Sequence, residues 1–113
     1  MSESDWIDVS SASELEQHGR LDVECAGRWV AIVRFEGRLY AFEDRCTHDD
    51  GSLAEAPLES DAATPCGVVI CPRHGARFCL STGAALTPPA YEPLAIFSVR
   101  ERDGRLELRA PTR

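Results

Sequence analysis

The sequence predicts an all-β domain, and three observations support that prediction. Runs of β-branched and aromatic residues recur along the chain, as in residues 29–35 (WVAIVRF) and 38–42 (RLYAF). Glycine-containing turn residues separate these runs at the spacing of β-hairpins. The length of 113 residues fits one compact domain, which we place at residues 1–113.

Two glycine-containing dipeptides each predict a hairpin. Residues 36–37 (Glu-Gly) separate the two runs just named. Residues 103–104 (Asp-Gly) separate residues 94–100 from residues 105–109. Asp-Gly favours a type I′ turn because both of its central residues need a positive φ angle.

Three further strands and one helix are predicted from local patterns. Residues 5–9 and 21–25 are strand candidates, and residues 66–70 (CGVVI) form a short, apolar strand candidate. Residues 11–18 (SASELEQH) are the best helix candidate, because Ser11 can cap the helix and acidic residues follow near its start.

The middle of the chain differs from both ends. Residues 49–65 are polar, contain Gly and Pro and show little periodicity, so we predict a loop there. Residues 87–93 (TPPAYEP) contain three prolines, which exclude them from a central strand. We therefore expect an all-β domain that carries a loop-built subdomain at about residues 46–93.

The net charge of −7 disfavours two classes of partner. Nucleic acids and anionic membrane surfaces are bound largely through Lys and Arg, so we expect neither as a partner. The N-terminal MSESDWIDVS lacks the basic and apolar regions of a secretory signal, and no apolar run is long enough to span a bilayer. We expect a cytoplasmic protein.

Five cysteines are many for a cytoplasmic chain, in which cysteines more often bind metal or do redox chemistry than form disulfides. The segment CTHDDGSL contains Cys46-x-His48, and CPRHGARF contains Cys71-x-x-His74. Thiolate and imidazole ligands suit zinc or iron, so a tetrahedral zinc site and an iron–sulfur cluster are both open. Common zinc fingers group like ligands, whereas each segment here supplies one of each kind, which favours a diiron cluster.

The motifs C-T-H and C-P-x-H-G resemble the signature of the Rieske family, in particular the small soluble Rieske-type ferredoxins that carry electrons to bacterial oxygenases. The resemblance covers residues 29–108 and includes Phe78 and the STG of residues 81–83. A third stretch resembles the proline loop of that family: Pro88, Pro89, Ala90, Pro93 and Leu94. The resemblance implies a Rieske-like antiparallel β sandwich with a small loop-built cluster-binding subdomain.

The resemblance also implies a ligand set for one [2Fe–2S] cluster per chain. Cys46 and Cys71 would bind the buried iron as thiolates, and His48 and His74 would bind the outer iron. Loss of either histidine is then expected to abolish the cluster.

Two positions distinguish this chain from the high-potential respiratory relatives. Those relatives usually place a serine and a tyrosine where this sequence has Ala76 and Phe78, and their hydroxyl groups donate to the cluster and its ligands. Hydrogen bonds to the sulfurs stabilise the more negative, reduced state. We therefore expect a low potential, toward about −150 mV at the bottom of the Rieske range.

Two further departures concern the loops. The respiratory relatives carry a disulfide at the positions of Gly51 and Arg73, so that bridge is absent here. The distance from His48 to Cys71 along the chain is a few residues longer than in typical oxygenase ferredoxins, with residues 57–64 as the expected insertion.

The remaining candidate residues have plainer interpretations. Cys25, Cys66 and Cys79 are expected to be buried thiols, with a Cys66–Cys79 bridge as the less favoured alternative. We expect His18 at the surface. Trp6 and Trp29 are expected in the core. Asp49 and Asp50 are expected in an exposed acidic loop, with tuning of the histidine pKa as the less favoured alternative. Arg73 and Arg77 are expected either to be solvated, to face a partner's acidic groups or to balance the charge of the cluster.

The expected function is that of a one-electron carrier, which accepts electrons from a flavoprotein reductase and passes them to an oxygenase or similar acceptor. The chain is not expected to be an enzyme by itself. It lacks room for a separate mononuclear iron domain, and it has no Gly-rich nucleotide fingerprint.

Two alternatives stay open. The protein could serve iron–sulfur cluster assembly or redox sensing, since stand-alone Rieske proteins also accompany assembly systems. A zinc-stabilised binding module is permitted but disfavoured by the order of the ligands. The related small subunit of nitrite reductase has typically lost the ligands, and all four are present here.

Overall fold

The computed structural model describes residues 6–47, 51–53, 55–61, 64–73, 75–88 and 91–110, with the backbone alone for residues 61 and 64–66. Ten strands and one helix follow one another in these ranges: β1 (Ile7–Ser11), α1 (Ala12–His18), β2 (Arg20–Cys25), β3 (Arg28–Phe35), β4 (Arg38–Glu43), β5 (Leu58–Asp61), β6 (Thr64–Ile70), β7 (Arg77–Cys79), β8 (Ala85–Thr87), β9 (Ile96–Arg102) and β10 (Arg105–Arg109). The all-β prediction is confirmed. No helix in these ranges is long and apolar enough to cross a membrane.

Six strands form an antiparallel sheet in the order β1-β10-β9-β4-β3-β2. Both predicted hairpins are present in it, as β3–β4 and β9–β10. Their turns have the positive φ angles of type I′ geometry: 52° and 81° at residues 36 and 37, and 53° and 79° at residues 103 and 104. The edge strands β1 and β2 contact each other, so the sheet curls back on itself.

The helix α1 begins and ends as its sequence predicts. The Ser11 hydroxyl accepts a hydrogen bond from the Glu14 amide at 3.2 Å and caps the N-terminus. Gly19 ends the helix in the left-handed conformation, and its amide donates to the Leu15 carbonyl at 2.7 Å. Leu15 is buried and fixes the helix against the curled sheet.

The interior of the six-stranded sheet is filled by apolar side chains from its strands and from α1. These residues pack as one group: Ala12, Leu15, Cys25, Val30, Ile32, Ala41, Phe97, Leu106 and Leu108. Strand β3 is buried on both faces, since residues 30–33 are at most 1% exposed. Its second face is therefore available for a second layer of the fold.

That second layer is a four-stranded antiparallel sheet in the order β5-β6-β7-β8. The predicted strand at residues 66–70 is confirmed and extends back to residue 64. The loop predicted over residues 49–65 is wrong for residues 58–61 and 64–65, which are strands. The expected insertion thus extends a sheet, because β5 pairs with β6 at Leu58–Val69 and Glu59–Val68. Residues 87–93 were excluded from a central strand, and β8, at the sheet edge, ends at residue 87.

A second core lies between the two sheets. Ala31, Val33 and Phe42 of the six-stranded sheet pack with Val69 and Phe78 of the four-stranded sheet, all buried. The sheets also approach closely at Gly67, where a Cβ would lie 2.7 Å from the ring of Phe35. Glycine is therefore required at position 67 by the neighbouring aromatic ring.

The two tryptophans are not core residues. Trp29 is 56% exposed, so the prediction of a core position is wrong for it. Trp6 is half-buried at the N-terminal edge, where the guanidinium groups of Arg100 and Arg109 lie 4.1 and 4.7 Å from its ring centroid. These cation–π contacts fasten the chain before β1 to strands β9 and β10.

Candidate metal centre

The first cysteine–histidine pair lies in a loop that leaves the six-stranded sheet after β4. We call residues 46–53 the first Cys loop. Cys46 is fully buried, and its amide donates to the Gly51 carbonyl at 2.8 Å. The Asp44 carboxylate accepts from the Ser52 hydroxyl at 2.8 Å and from the Leu53 amide. The loop is thus closed at both ends by hydrogen bonds to residues beside the strand.

The second pair lies in the connection between β6 and β7, within the four-stranded sheet. We call residues 71–76 the second Cys loop. The Cys71 amide donates to the Ala76 carbonyl at 2.8 Å, and the Gly75 amide donates to the Cys71 carbonyl at 2.9 Å. Gly75 has a φ of 75°, which glycine adopts at little cost. This is a tight turn that fixes the backbone at Cys71.

The two loops bring two thiols into one buried environment. Cys46 and Cys71 are both 0% exposed, neither is disulfide-bonded, and both belong to the core between the sheets. His48 and His74 lie outside the described residues, as do Asp49 and Asp50. Two cysteines outside disulfides, each at the start of a loop, can supply the thiolate ligands that soft or borderline metals prefer. The donor chemistry present therefore fits an iron–sulfur cluster.

A third segment packs beside the first Cys loop. The Thr47 hydroxyl donates to the Glu92 carbonyl at 2.8 Å, and the Leu94 amide donates to the Gly83 carbonyl at 2.7 Å. Gly83 has a φ of 83°, and a Cβ there would collide with the Leu94 carbonyl oxygen. The segment that resembles a proline loop is therefore tied at residue 92 to the first Cys loop and at residue 94 to the end of the four-stranded sheet.

A family comparison identifies this arrangement. The model of the Rieske [2Fe-2S] domain matches residues 5–98. The chain belongs to the Rieske family. Membership implies a [2Fe–2S] cluster, as the motifs predicted.

One similar protein is named as a ferredoxin subunit, and one similar solved chain comes from a complex that contains a ferredoxin. The chain is 38% identical over 98 residues to the 3-phenylpropionate/cinnamic acid dioxygenase ferredoxin subunit of Photorhabdus laumondii, covering 87% of this chain and 88% of that protein. It is similar in structure to a solved chain from a complex of reduced oxygenase and oxidized ferredoxin in carbazole 1,9a-dioxygenase, with 31% identity, a TM-score of 0.77 and 96% of each chain covered. The expectation of an electron-transfer protein rather than an enzyme is confirmed.

A more distant structure agrees in fold. The carbazole 1,9a-dioxygenase ferredoxin of Nocardioides aromaticivorans IC177 is 21% identical, with a TM-score of 0.78 over 94% of this chain and 98% of that one. The predicted Rieske-like β sandwich is thereby confirmed. We call the four-stranded sheet with the two Cys loops the cluster-binding end, as the sequence predicts.

The structure locates the residues that distinguish this Rieske chain from the respiratory type. Ala76 and Phe78 are both fully buried, in the same core as the two thiols. Neither side chain carries a hydrogen-bond donor. Arg77, between them, lies on the outside of β7 and forms an ion pair with Glu59 at 3.7 Å. The sequence predicts Arg77 in solvent, against a partner's acidic groups or as a charge balance for the cluster, and it does not predict the pair with Glu59.

The three remaining cysteines divide into two kinds. Cys25 is a buried free thiol in the core of the six-stranded sheet, and burial raises its pKa, as expected for an inert thiol. Cys79 is disulfide-bonded, so the expectation of a free thiol is wrong for it. The strand register pairs Cys79 of β7 with Val68 of β6, so position 66 lies on the neighbouring strand, two residues from the partner of Cys79. The side chain of Cys66 lies outside the described residues.

Two supporting residues are not predicted from the sequence: Asp44, just before the first Cys loop, and Thr47, within it. Asp44 holds Ser52 and Leu53, and Thr47 holds the segment at Glu92. Neither residue stands out in the sequence, because its role depends on a contact made after the chain has folded. The position of Asp44, two residues before Cys46, is the local feature that could have indicated its role in the loop.

A second carboxylate lies near Asp44 on the neighbouring strands. Partial desolvation, and then the hydrogen bond and charge of the neighbouring Asp44 carboxylate, raise the pKa of Asp22 to about 6. Asp22 pairs with Ala31 of β3, and the Asp44 amide donates to the Trp29 carbonyl at 2.8 Å, so the two aspartates flank β3 from opposite sides, two residues apart along it.

Proposed function

We propose that the protein carries single electrons through a Rieske [2Fe–2S] cluster held by Cys46, His48, Cys71 and His74. One observation carries the proposal: two fully buried cysteines, neither of them in a disulfide, begin two loops and pack in one core. Each thiol precedes a histidine by two or three residues in the sequence. That combination supplies two thiolates and two imidazoles, which is the Rieske ligand set.

The bound cluster supplies one-electron chemistry, and the chain supplies its surroundings. Burial of the two cysteines keeps water from the thiolate side of the site. The amides of Cys46 and Cys71 each donate to a carbonyl of their own loop, and these hydrogen bonds fix the backbone at both ligand positions. Ala76 and Phe78 offer no hydroxyl donors, which supports a low reduction potential.

Transfer to a partner needs an exposed face close to the site. Tyr91 is 81% exposed and directly precedes Glu92, whose carbonyl is bound by Thr47 of the first Cys loop. With Leu86, 37% exposed on β8, it gives the cluster-binding end an apolar contact area. Aromatic residues are enriched in protein interfaces, so we propose this area as the docking face.

The partners follow from charge and from the relatives. The net charge of −7 favours acceptors and donors with basic docking faces, with salt-sensitive association. The relative named as a dioxygenase ferredoxin subunit and the oxygenase–ferredoxin complex favour an oxygenase as acceptor over a role in cluster assembly. We propose a flavoprotein reductase as donor, and a cytoplasmic location for the system.

The test is purification without oxygen, followed by visible absorption, low-temperature EPR and assays of iron and sulfide. We expect about two irons and two sulfides per chain and a reduced signal averaging below g of 2. Cys71→Ala should lose iron, sulfide and colour. Cys25→Ala is the matched control, a buried free thiol in the other core, and should keep all three. A colourless wild-type protein holding one zinc would contradict the proposal.

A further inference from the structure

Arg73 stands between Cys71 and His74 in the sequence, yet its side chain reaches the other loop. Its Nη1 donates to the Ser52 carbonyl in the first Cys loop at 3.0 Å. A hydrogen bond with a charged donor is stronger than one between neutral groups. Arg73 therefore links the two loops directly.

Gly51 shows how closely the guanidinium lies against the first Cys loop. Three atoms of the Arg73 guanidinium group are within 2.6 Å of the position that a Cβ at Gly51 would take. Gly51 does not have a positive φ, so backbone conformation does not explain the glycine. The glycine leaves room for the guanidinium group.

The part of the loop that Arg73 contacts is itself fixed to the site. The Gly51 carbonyl accepts from the Cys46 amide at 2.8 Å, and the Ser52 hydroxyl donates to Asp44 at 2.8 Å. A hydrogen-bonded path thus runs from Arg73 through residues 51 and 52 to the backbone of Cys46. A movement of Arg73 would be transmitted to the position of this thiol.

We propose that Arg73 is a positioning residue that straps the two Cys loops together and holds them around the cluster. This inference rests on the ligand set proposed above. The strap is noncovalent: a planar guanidinium packed on Gly51 and bonded to the Ser52 carbonyl. It involves positions 51 and 73, which hold Gly and Arg and so cannot form a disulfide.

The strap also places a permanent charge beside the site. Arginine stays protonated at every accessible pH, so its charge does not depend on conditions. A fixed positive charge favours the more negative of two redox states. Arg73 should therefore hold the reduction potential above the value it would have with a neutral side chain.

Three variants separate the strap from the charge. Arg73→Met removes both. Gly51→Ala keeps the charge but forces the guanidinium off the loop. In the double variant the added methyl group has no guanidinium to meet. We expect each single variant to lose its cluster on the order of tenfold faster in the presence of an iron chelator, followed by visible absorbance. The double variant should match Arg73→Met instead of multiplying the two effects.

Reduction potential and amide exchange give independent readouts. Arg73→Met should shift the potential to more negative values, and Gly51→Ala should shift it less. In the apoprotein, the Cys46 amide should exchange faster in both single variants, because its acceptor Gly51 is no longer held. Arg102→Met is the control: it removes an exposed arginine at the far end of β9 and should leave both readouts unchanged.

The outcomes distinguish the two proposals. A wild-type protein that binds no iron–sulfur cluster contradicts the proposed function itself. A wild-type protein that holds the cluster, with single variants that lose it at the wild-type rate, contradicts the strap alone. So does a double variant whose loss rate is the product of the single effects. Far-UV circular dichroism of each apoprotein shows whether the sheets remain folded.

Discussion

The six-stranded sheet and the four-stranded sheet are held together in different ways. In the six-stranded sheet, β2–β3 and β3–β4 each pair over six consecutive residues without a shift. In the four-stranded sheet, β7 and β8 have three residues each, and the register shifts in β5–β6 and again in β7–β8. Two of the three strand pairs of the second sheet are shifted, against one of five, β1–β10, in the six-stranded sheet, so the second sheet has the less regular backbone pairing.

Contacts between individual residues hold the four-stranded sheet in place where its strand pairing is irregular. Gly67 lies against Phe35, Gly83 against Leu94, and Thr47 is bonded to Glu92. These contacts join the four-stranded sheet and its loops to the rest of the chain. We infer that the six-stranded sheet determines global stability and that these contacts determine the geometry of the site. The predictions below test that division.

The largest expected effect is on the core of the six-stranded sheet. Leu106 is fully buried, and Leu106→Ala should lower the free energy of unfolding by about 3 kcal/mol, because a cavity remains where the side chain was. Urea denaturation of the apoprotein measures this. Leu86→Ala is the matched control on the exposed edge strand β8 and should change the value by less than about 0.5 kcal/mol. Equal losses in the two variants would contradict the division.

The next largest effect is expected at Gly83, which contacts the segment that resembles a proline loop. Gly83→Ala should cost about 1–3 kcal/mol, because its backbone has positive φ and its new methyl group meets the Leu94 carbonyl oxygen. Gly37→Ala is the control: φ is 81° there too, but a Cβ meets nothing within 4 Å, so the cost should be about 1 kcal/mol. Urea denaturation compares the two variants. The Leu94 amide should exchange faster in Gly83→Ala alone. An unchanged exchange rate in that variant would show that contacts other than the one with Gly83 hold the segment at Leu94.

The same division separates what the sequence could predict from what it could not. The hairpin turns were predictable because a Glu-Gly or Asp-Gly pair fixes its own backbone angles. Strand β5 was not, because LESD has no alternation of apolar residues and becomes a strand through pairing of Leu58 with Val69. Tertiary pairing decides such segments, since β propensity depends strongly on context.

The site shows the same limit. The spacing of the cysteines and histidines in two short segments predicted the family and the cofactor, because ligand types at fixed intervals are a local property. The supporting contacts are not local: Arg73 and Ser52 are 21 residues apart, and Thr47 and Glu92 are 45 apart. Such pairs become evident after the two sheets have packed.

A smaller effect is expected from the hydrogen bond between Thr47 of the first Cys loop and Glu92 of the segment that resembles a proline loop. Thr47→Val keeps the shape of the side chain and removes the donor to the Glu92 carbonyl. One hydrogen bond contributes about 1 kcal/mol, so the loaded protein should lose its cluster roughly fivefold faster under chelation. Thr82→Val is the control, since its hydroxyl accepts from the Ala84 amide within a turn of the four-stranded sheet. An equal rate for Thr47→Val and the wild type would mean that the hydrogen bond from Thr47 does not retain the cluster.

The smallest effect is a pH dependence that has opposite signs at two carboxylates. The pKa of Asp22 in the folded protein, about 6, lies above its ordinary value of 3.8. Between these two values the folded state binds more protons than the unfolded state, so the contribution of Asp22 to stability falls as pH rises from about 4 to 6. Asp22→Asn should become progressively more stable than the wild type over that window. Asp22 is exposed to solvent, and screening should keep the difference below about 1 kcal/mol.

Asp8 gives the opposite sign and is therefore the control. Its hydrogen bonds to Arg105, at 2.8–3.1 Å, lower the pKa of Asp8 below its ordinary value. The stabilisation it contributes is present above pH 4 and is lost as pH falls through the lowered pKa, so Asp8→Asn should be less stable than the wild type at pH 7 and approach it in acid. Thermal unfolding from pH 3.5 to 7 measures both differences. The two curves should move in opposite directions, because one carboxylate faces another carboxylate beside the first Cys loop and the other faces a guanidinium on the six-stranded sheet. If the two stability differences changed in the same direction with pH, the Asp44 carboxylate would not be raising the pKa of Asp22.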